Sequence, residues 1–95
     1  MKVKVLGKPE CAPCKSTKHK VQNLIKKNKW EEAVAFEFVD VETEEGEVQR
    51  EFYEMDQIPC LVVEDDDGDI VHQSEKDDVP NSDEIKKIIK EVLGD

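Results

Sequence analysis

Long apolar runs are absent from this 95-residue sequence, and no stretch approaches the ~20 consecutive apolar residues that cross a bilayer. The opening segment, Met1-Lys2-Val3-Lys4-Val5-Leu6-Gly7-Lys8, has no continuous apolar centre, so no secretion signal is expected. Cysteine is sparse and odd in number: Cys11, Cys14 and Cys60. An odd count argues against a secreted disulfide framework, and the expected compartment is the cytoplasm. Net positive charge is lacking as well. At −10, the chain is a poor partner for nucleic acid or an anionic membrane, because phosphates would repel it. The charge is unevenly spread. Residues 1–30 carry nine lysines against Glu10 alone, a net of +8, and residues 31–95 carry a net of −18. A high net charge of one sign favours a monomer.

The length fits one domain, residues 1–95, around one small core, which excludes repeats and multi-domain arrays. Charged residues (40%) outnumber hydrophobic ones (37%), but the apolar positions fall in periodic segments, so a folded domain is expected. Val3, Val5 and Leu6 make a short strand ended by Gly7 and Pro9. Cys14, Thr17, Val21, Leu24, Ile25 and Asn28 recur at helical spacing, opposite Lys15, Lys18, Gln22, Lys26 and Lys29, which predicts a helix over 12–28. Val34 to Val41 reads as a second strand. Thr43 caps a second helix whose narrow apolar face is Val48, Phe52 and Met55. Cys60 to Val63 is a short central strand. Asp66-Asp67-Gly68 turns the chain into Ile70-Val71 as a hairpin, followed by a polar loop from Gln73 to Asn81. Asn81 or Ser82 caps a last helix with a stripe of Ile85, Ile88, Ile89, Val92 and Leu93, stopped by Gly94. The order is β-α-β-α-β-β-α. A right-handed crossover makes the first two strands parallel, and the hairpin adds two antiparallel strands. The result is an α/β domain, a four-stranded mixed sheet flanked by three helices on both faces.

The strongest chemical signal is Cys11-Ala12-Pro13-Cys14, set between a strand and a helix. Cys11 falls at the helix N-terminus, where free N–H groups and the helix dipole favour a thiolate. Lys8 and Lys15 add to this and Glu10 opposes it. Cys14 falls on the apolar face. An exposed, activated thiol and a shielded one suit dithiol exchange, with Cys11 attacking and Cys14 resolving the mixed disulfide. The alternative is a structural zinc site built from the same pair with Cys60 and His19 or His72, in a module that binds without turnover. No second closely spaced cysteine pair exists to complete such a site.

Lys8-Pro9-Glu10-Cys11-Ala12-Pro13-Cys14 after a short strand resembles the start of glutaredoxins and small redoxins, and Ile58-Pro59 before an apolar strand resembles the cis-proline loop of the thioredoxin family. The similarity runs over the whole chain in element order, to thioredoxin-fold disulfide oxidoreductases of glutaredoxin size. It implies a thioredoxin-like α/β fold and a redox-active Cys11–Cys14 disulfide with no further cofactor or metal. It also implies a cis bond before Pro59, and substrate contacts from Lys8, Ala12, Pro13, Ile58 and Pro59. The expected activity is that of an enzyme, a thiol–disulfide oxidoreductase acting on disulfide-containing proteins and more reductant than oxidant. Some features depart from the pattern. Glu10 replaces the thioredoxin tryptophan, and the first strand offers only Val3, Val5 and Leu6 where thioredoxins bury an acid. His72 to Asp78 lacks the glycine pair with which glutaredoxins hold glutathione. These departures point away from glutathione and toward a thioredoxin-reductase-like reductant. A narrower variant is an electron donor dedicated to one partner, with specificity in the charged surfaces.

Cys60, next to Pro59, reads either as a modulator of the disulfide or as a small buried core residue. His72 reads as structural, His19 as solvated and Trp30 as a packing residue beyond the first helix. Glu64-Asp65-Asp66-Asp67-Gly68-Asp69 lacks the spacing and terminal glutamate of a calcium loop and reads as a solubilising turn.

Overall fold

The structure, a computed structural model, describes residues 1–94. Its elements are β1 (Lys2–Gly7), α1 (Ala12–Lys27), β2 (Ala35–Asp40), α2 (Glu44–Phe52), β3 (Cys60–Glu64), β4 (Ile70–Glu75), a 3-10 turn (Lys76–Asp78) and α3 (Ser82–Leu93). The strands form one sheet in the order β2-β1-β3-β4. β1 and β2 are parallel, with Val5 level with Phe38. β3 runs antiparallel to both neighbours, with Cys60 opposite Leu6 and Leu61 opposite Ser74. This register brings the ends of β1 and β2 and the start of β3 to one edge of the sheet. The Lys8–Cys11 turn, the β2–α2 connection and the Ile58–Pro59 segment therefore meet there.

Side chains alternate across the two central strands, so each face has its own core. Val3, Val5, Leu61 and Val63 pack with Val21, Leu24 and Ile25 of α1 and Ile85 and Ile89 of α3. Leu6, Cys60 and Val62 pack on the other face with Val39, Tyr53 and Met55. Each fully buried aliphatic contributes about 1.5–3 kcal/mol of transfer free energy. Trp30 and Val34, in the connection after α1, close the first core. The caps of α2 and α3 form as the sequence expects, and Cys11 caps α1. Cys11, Thr43 and Asn81 each accept from a backbone N–H in the first turn of the helix that follows. No described helix is long and apolar enough to cross a membrane.

Two expectations need correction. Val48 and Phe52 are not the buried face of α2: they are 61% and 73% exposed. The helix instead approaches the sheet through Gly46, buried against the Asp40 carbonyl where no Cβ fits, with Tyr53 buried just past its end. Gln49 lies between them and accepts from Lys4 Nζ at 3.1 Å. Positions 46, 49 and 53 have helical spacing, but only one of the three carries a large apolar group. β4 also continues beyond Val71 through Gln73, Ser74 and Glu75. These polar side chains stay in the strand because each has a partner: Ser74 Oγ bonds His72 Nε2 (2.9 Å), and Gln73 donates to the Tyr53 carbonyl (3.0 Å). Glu75 is taken up below.

Lys4 alternates with Val3 and Val5 and so shares the face of Leu6. It points into the α2 face, donating to Tyr53 Oη at 2.9 Å and lying 3.7 Å from Glu64. Burial alone would lower its pKa, but the Tyr53 hydrogen bond and the charges of Glu64 and Glu37 outweigh that and raise it above 10.5.

Candidate active site

The site begins where β1 stops. The chain turns through Lys8, Pro9 and Glu10, closed by a hydrogen bond from Cys11 N–H to the Lys8 carbonyl (3.1 Å). Cys11 then caps α1 with extended backbone (φ −82°, ψ 117°), and its sulfur accepts from the Cys14 N–H at 3.3 Å. Pro13 sits in the first turn, where its missing N–H costs nothing. Cys14 Sγ lies 2.6 Å from Cys11 Sγ, inside van der Waals contact, so the two sulfurs are placed to bond to one another. Cys11 is half-buried and Cys14 fully buried, while Ala12 and Pro13 are exposed beside them. The Cys14 N–H and the Cys14 sulfur thus both meet the Cys11 sulfur at the N-terminal end of α1. Burial and the hydrogen bond to Cys11 push the Cys14 thiol up from 9.0 to about 11, against a smaller opposing pull from the Lys8 backbone and charge. Cys14 therefore stays protonated at neutral pH.

Gly7 forms the floor under Cys14. A Cβ at this position would lie 2.6 Å from Cys14 Sγ and 2.7 Å from Cys14 Cβ. The sequence marks Gly7 only as the end of a strand.

The second wall is the segment before β3. The Ile58–Pro59 peptide is cis, Pro59 is buried and Ile58 half-buried. The register that sets Leu6 opposite Cys60 sets Gly7 level with Pro59, on the same sheet edge as the dithiol. Side chains from both flanking elements hold this segment. Arg50 Nη1 donates to the Met55 carbonyl (3.0 Å), and the amides of Asp56 and Gln57 donate to Glu75 Oε2 (3.0 and 3.2 Å). Lys76 N–H donates to the Pro59 carbonyl (2.7 Å). Arg50 and Glu75 are thus positioning residues that sequence reasoning missed. Nothing in a charged residue on a helix, or in one assigned to a loop, signals that it caps a distant backbone.

Cys60 is fully buried and its thiol donates to the Gln57 carbonyl at 2.8 Å. Burial first, then the Glu75 charge, push it up from 9.0 to about 12. His19 is exposed on α1, and His72 is tied to Ser74 with its pKa lowered by burial. Neither histidine joins the cysteines. Among the described residues, the only three potential metal-ligand groups within 4.8 Å of one another are Asp65, Asp67 and Asp69 of the hairpin. Asp65 there accepts from the Asp67 and Asp69 amides. Among the described residues, no third His, Cys, Asp or Glu ligand atom groups with Cys11 and Cys14 within 4.8 Å.

Lys8 is exposed at one side of a shallow groove of about 520 Å³, lined by Lys8, Val41, Glu42, Glu47, Arg50, Asp56 and Ile58.

No protein-family model matches the chain, and no curated protein matches it by sequence. Its likeness is structural. Thioredoxin 1 from Thermosipho africanus superposes with a TM-score of 0.77 at 18% identity, covering 99% of this chain and 96% of that one. A thioredoxin from Fasciola hepatica gives 0.72 at 24% identity over 96% of this chain and 79% of that one. A mutant thioredoxin from Halobacterium salinarum gives 0.73 at 20% identity, covering 96% and 73%. With its β2-β1-β3-β4 mixed sheet, its three helices and the cis-proline beside the sheet edge that carries the cysteine pair, the chain has the thioredoxin fold.

Proposed function

We propose that the chain is a thiol–disulfide oxidoreductase that reduces protein disulfides through Cys11 and Cys14. One observation carries this reading: a half-buried Cys11 sulfur at a helix N-terminus accepts the Cys14 N–H and lies against the sulfur of a fully buried Cys14. The Cys11 thiolate attacks one sulfur of a client disulfide. A Cys11–client mixed disulfide forms and one client thiolate leaves. Cys14 then gives up its proton to solvent or to a departing thiolate. It attacks Cys11 Sγ and releases the second client sulfur as the Cys11–Cys14 disulfide closes. The client gains two electrons and two protons, and an external dithiol reductant of the thioredoxin-reductase kind returns them to the protein.

Lys8, Ala12, Pro13, Ile58 and Pro59 are the residues assigned to substrate contact in this reading, with the Ile58 backbone pairing with the client chain. Cys60 takes no part in turnover. The stretch from His72 to Asp78 has no glycine pair and is occupied by the end of β4 and the 3-10 turn, which supports glutathione independence. Three cysteines, an odd number with no secreted disulfide framework, suit a reducing compartment such as the cytoplasm.

The test is a pair of serine variants assayed with a protein disulfide and a dithiol reductant. Cys11→Ser loses turnover, and Cys14→Ser accumulates a covalent Cys11–client adduct visible by intact mass. Full reductase activity in Cys11→Ser refutes the proposal.

A further inference from the structure

Among the described residues, three other than glycine have left-handed backbone: Lys29 (φ 58°), Glu54 (φ 56°) and Lys76 (φ 49°). Two of them end helices. Lys29 and Glu54 each stand one residue past a helix cap, where the left-handed turn lets the next amide reach back. Trp30 N–H donates to the Ile25 carbonyl (2.9 Å) and Met55 N–H to the Arg50 carbonyl (3.2 Å). Lys76 ends no α-helix. It follows β4 and opens the 3-10 turn. Its N–H donates to the Pro59 carbonyl (2.7 Å), and its carbonyl accepts from Val79 N–H (3.3 Å). Glycine would make both of these backbone bonds as well, without the cost that a Cβ brings in this conformation. The Lys76 side chain is exposed and belongs to neither of the ion pairs among the described residues. The turn thus carries, in a strained conformation, a side chain that its own hydrogen bonds do not need.

Lys76 also stands on the edge of the sheet that carries the sulfurs. Cys60 is opposite Leu6 on one side and Glu75 on the other, so Gly7, Pro59 and Lys76 lie in one row along that edge. Gly7 lies under Cys14. Neighbouring strands are about 4.8 Å apart, which puts Lys76 roughly 10 Å from Gly7 along the row, a span that extended chain covers in about three residues. A lysine ammonium has three donors and no acceptor, so its partner on a client is an oxygen. Asp77 and Asp78 follow Lys76 and are exposed, so this is a short-range hydrogen bond and not the pull of a positive surface. We infer that Lys76 is a specificity-determining residue. Its ammonium holds a backbone carbonyl of the client about three residues from the reactive cysteine, and the site therefore favours disulfides with polypeptide on either side over small ones. The inference rests on the proposed reductase reading and names its substrate class.

The test uses two peptides closed by the same intramolecular disulfide. One ends at its cysteines with blocked termini, and the other continues for several uncharged residues beyond each cysteine. Reduction by the fully reduced protein is followed in single turnover for the parent, Lys76→Gly and Lys76→Arg. Each rate is divided by that peptide's rate with free dithiothreitol, which removes the peptide's own reactivity. One exposed, charge-assisted hydrogen bond gives the parent a preference of about fivefold for the longer peptide. Lys76→Gly brings the preference to within about twofold by slowing the longer peptide alone, and Lys76→Arg keeps it. Relief of the left-handed strain leaves Lys76→Gly melting no lower than the parent and up to about 5 °C higher, so the lost rate is not lost fold. Equal normalised rates for the two peptides in the parent, a preference that survives in Lys76→Gly or vanishes in Lys76→Arg, or a Lys76→Gly protein that melts lower and slows with both peptides overturns this inference and leaves the reductase reading intact. Failure of the parent to reduce either peptide, or a standard protein disulfide, overturns both.

Discussion

Adding a single methyl group at Gly7 tests whether the close contact between β1 and α1 sets the geometry of the sulfur pair. In Gly7→Ala the new carbon would stand 2.6 Å from Cys14 Sγ and 2.7 Å from Cys14 Cβ, where ordinary contact begins near 3.4 Å. About 0.8 Å must therefore be found. Gly7 ends a central strand paired on both sides, so β1 resists and the first turn of α1 has to lift. Overpacking of this kind costs about 1–3 kcal/mol. For a domain of this size that lowers Tm by roughly 5–20 °C. The same displacement pulls Cys14 Sγ away from the Cys11 sulfur it must attack, so resolution slows while the first attack by Cys11 is spared. The assay is thermal unfolding of the reduced protein together with the lifetime of the mixed disulfide after mixing with a client. A variant that melts within about 2 °C of the parent and resolves at the parent rate refutes the argument, because a packed contact cannot absorb a methyl group without cost.

Four further outcomes follow from the same geometry. Met55→Ala costs about 2–5 kcal/mol in urea unfolding, whereas Phe52→Ala costs less than about 1.5 kcal/mol, its edge-on contact with Tyr53 being its main interaction; the reverse order would mean that α2 faces the sheet as the sequence alone indicates. Tyr53→Phe removes the hydroxyl that accepts from Lys4 and donates to Glu64 at 3.2 Å, and loses about 1–3 kcal/mol by the same measurement. Stability of the reduced protein falls as pH rises above about 9: the folded state holds the protons of Cys14 and Cys60 more tightly than the unfolded chain does, so their contribution is full below the ordinary thiol pKa and is lost toward about 11 and 12. Urea midpoints that stay flat or rise over that range contradict this, and Cys60→Ala makes the decline shallower. Glu75→Gln releases the amides of Asp56 and Gln57 and raises KM for a protein disulfide more than it changes the rate with a small one; equal effects on both would remove Glu75 from the positioning of the Pro59 segment.

Residues whose environment is set locally were legible in the sequence. The α1 stripe of Cys14, Thr17, Val21, Leu24 and Ile25 is buried as its spacing predicts, and Cys11 stands at the N-terminus of that helix, with proline in the first turn, as the sequence indicates. Parallel β1 and β2 follow from the handedness of one crossover. Features that depend on contact between distant segments were not legible. Gly46, Gln49 and Tyr53 form the sheet-facing side of α2 because the helix comes too close at Gly46 for any side chain, while the more apolar Val48 and Phe52 face solvent. Glu75 and Arg50 look like surface charges until the folded chain brings backbone amides and a carbonyl to them. Lys4 looks like the polar side of an alternating strand, yet on a central strand covered on both faces its ammonium must be met by Tyr53, Gln49 and Glu64. The resemblance in the Cys11–Cys14 motif and at Ile58–Pro59 extended the reading to the fold, and the structure agrees in the four-stranded mixed sheet and the cis bond.

The central claim is that Cys11 and Cys14 act as one two-electron couple while Cys60 stays outside it. The most direct test is a redox titration in a dithiol buffer, quenched by alkylation and read by intact mass, with a native mass taken in parallel. The account predicts that Cys11 and Cys14 lose two hydrogens together and reversibly, and that Cys60 remains an unmodified thiol until the protein is unfolded. A native mass with bound metal, and thiols that resist oxidation and alkylation until the metal is chelated, would contradict it.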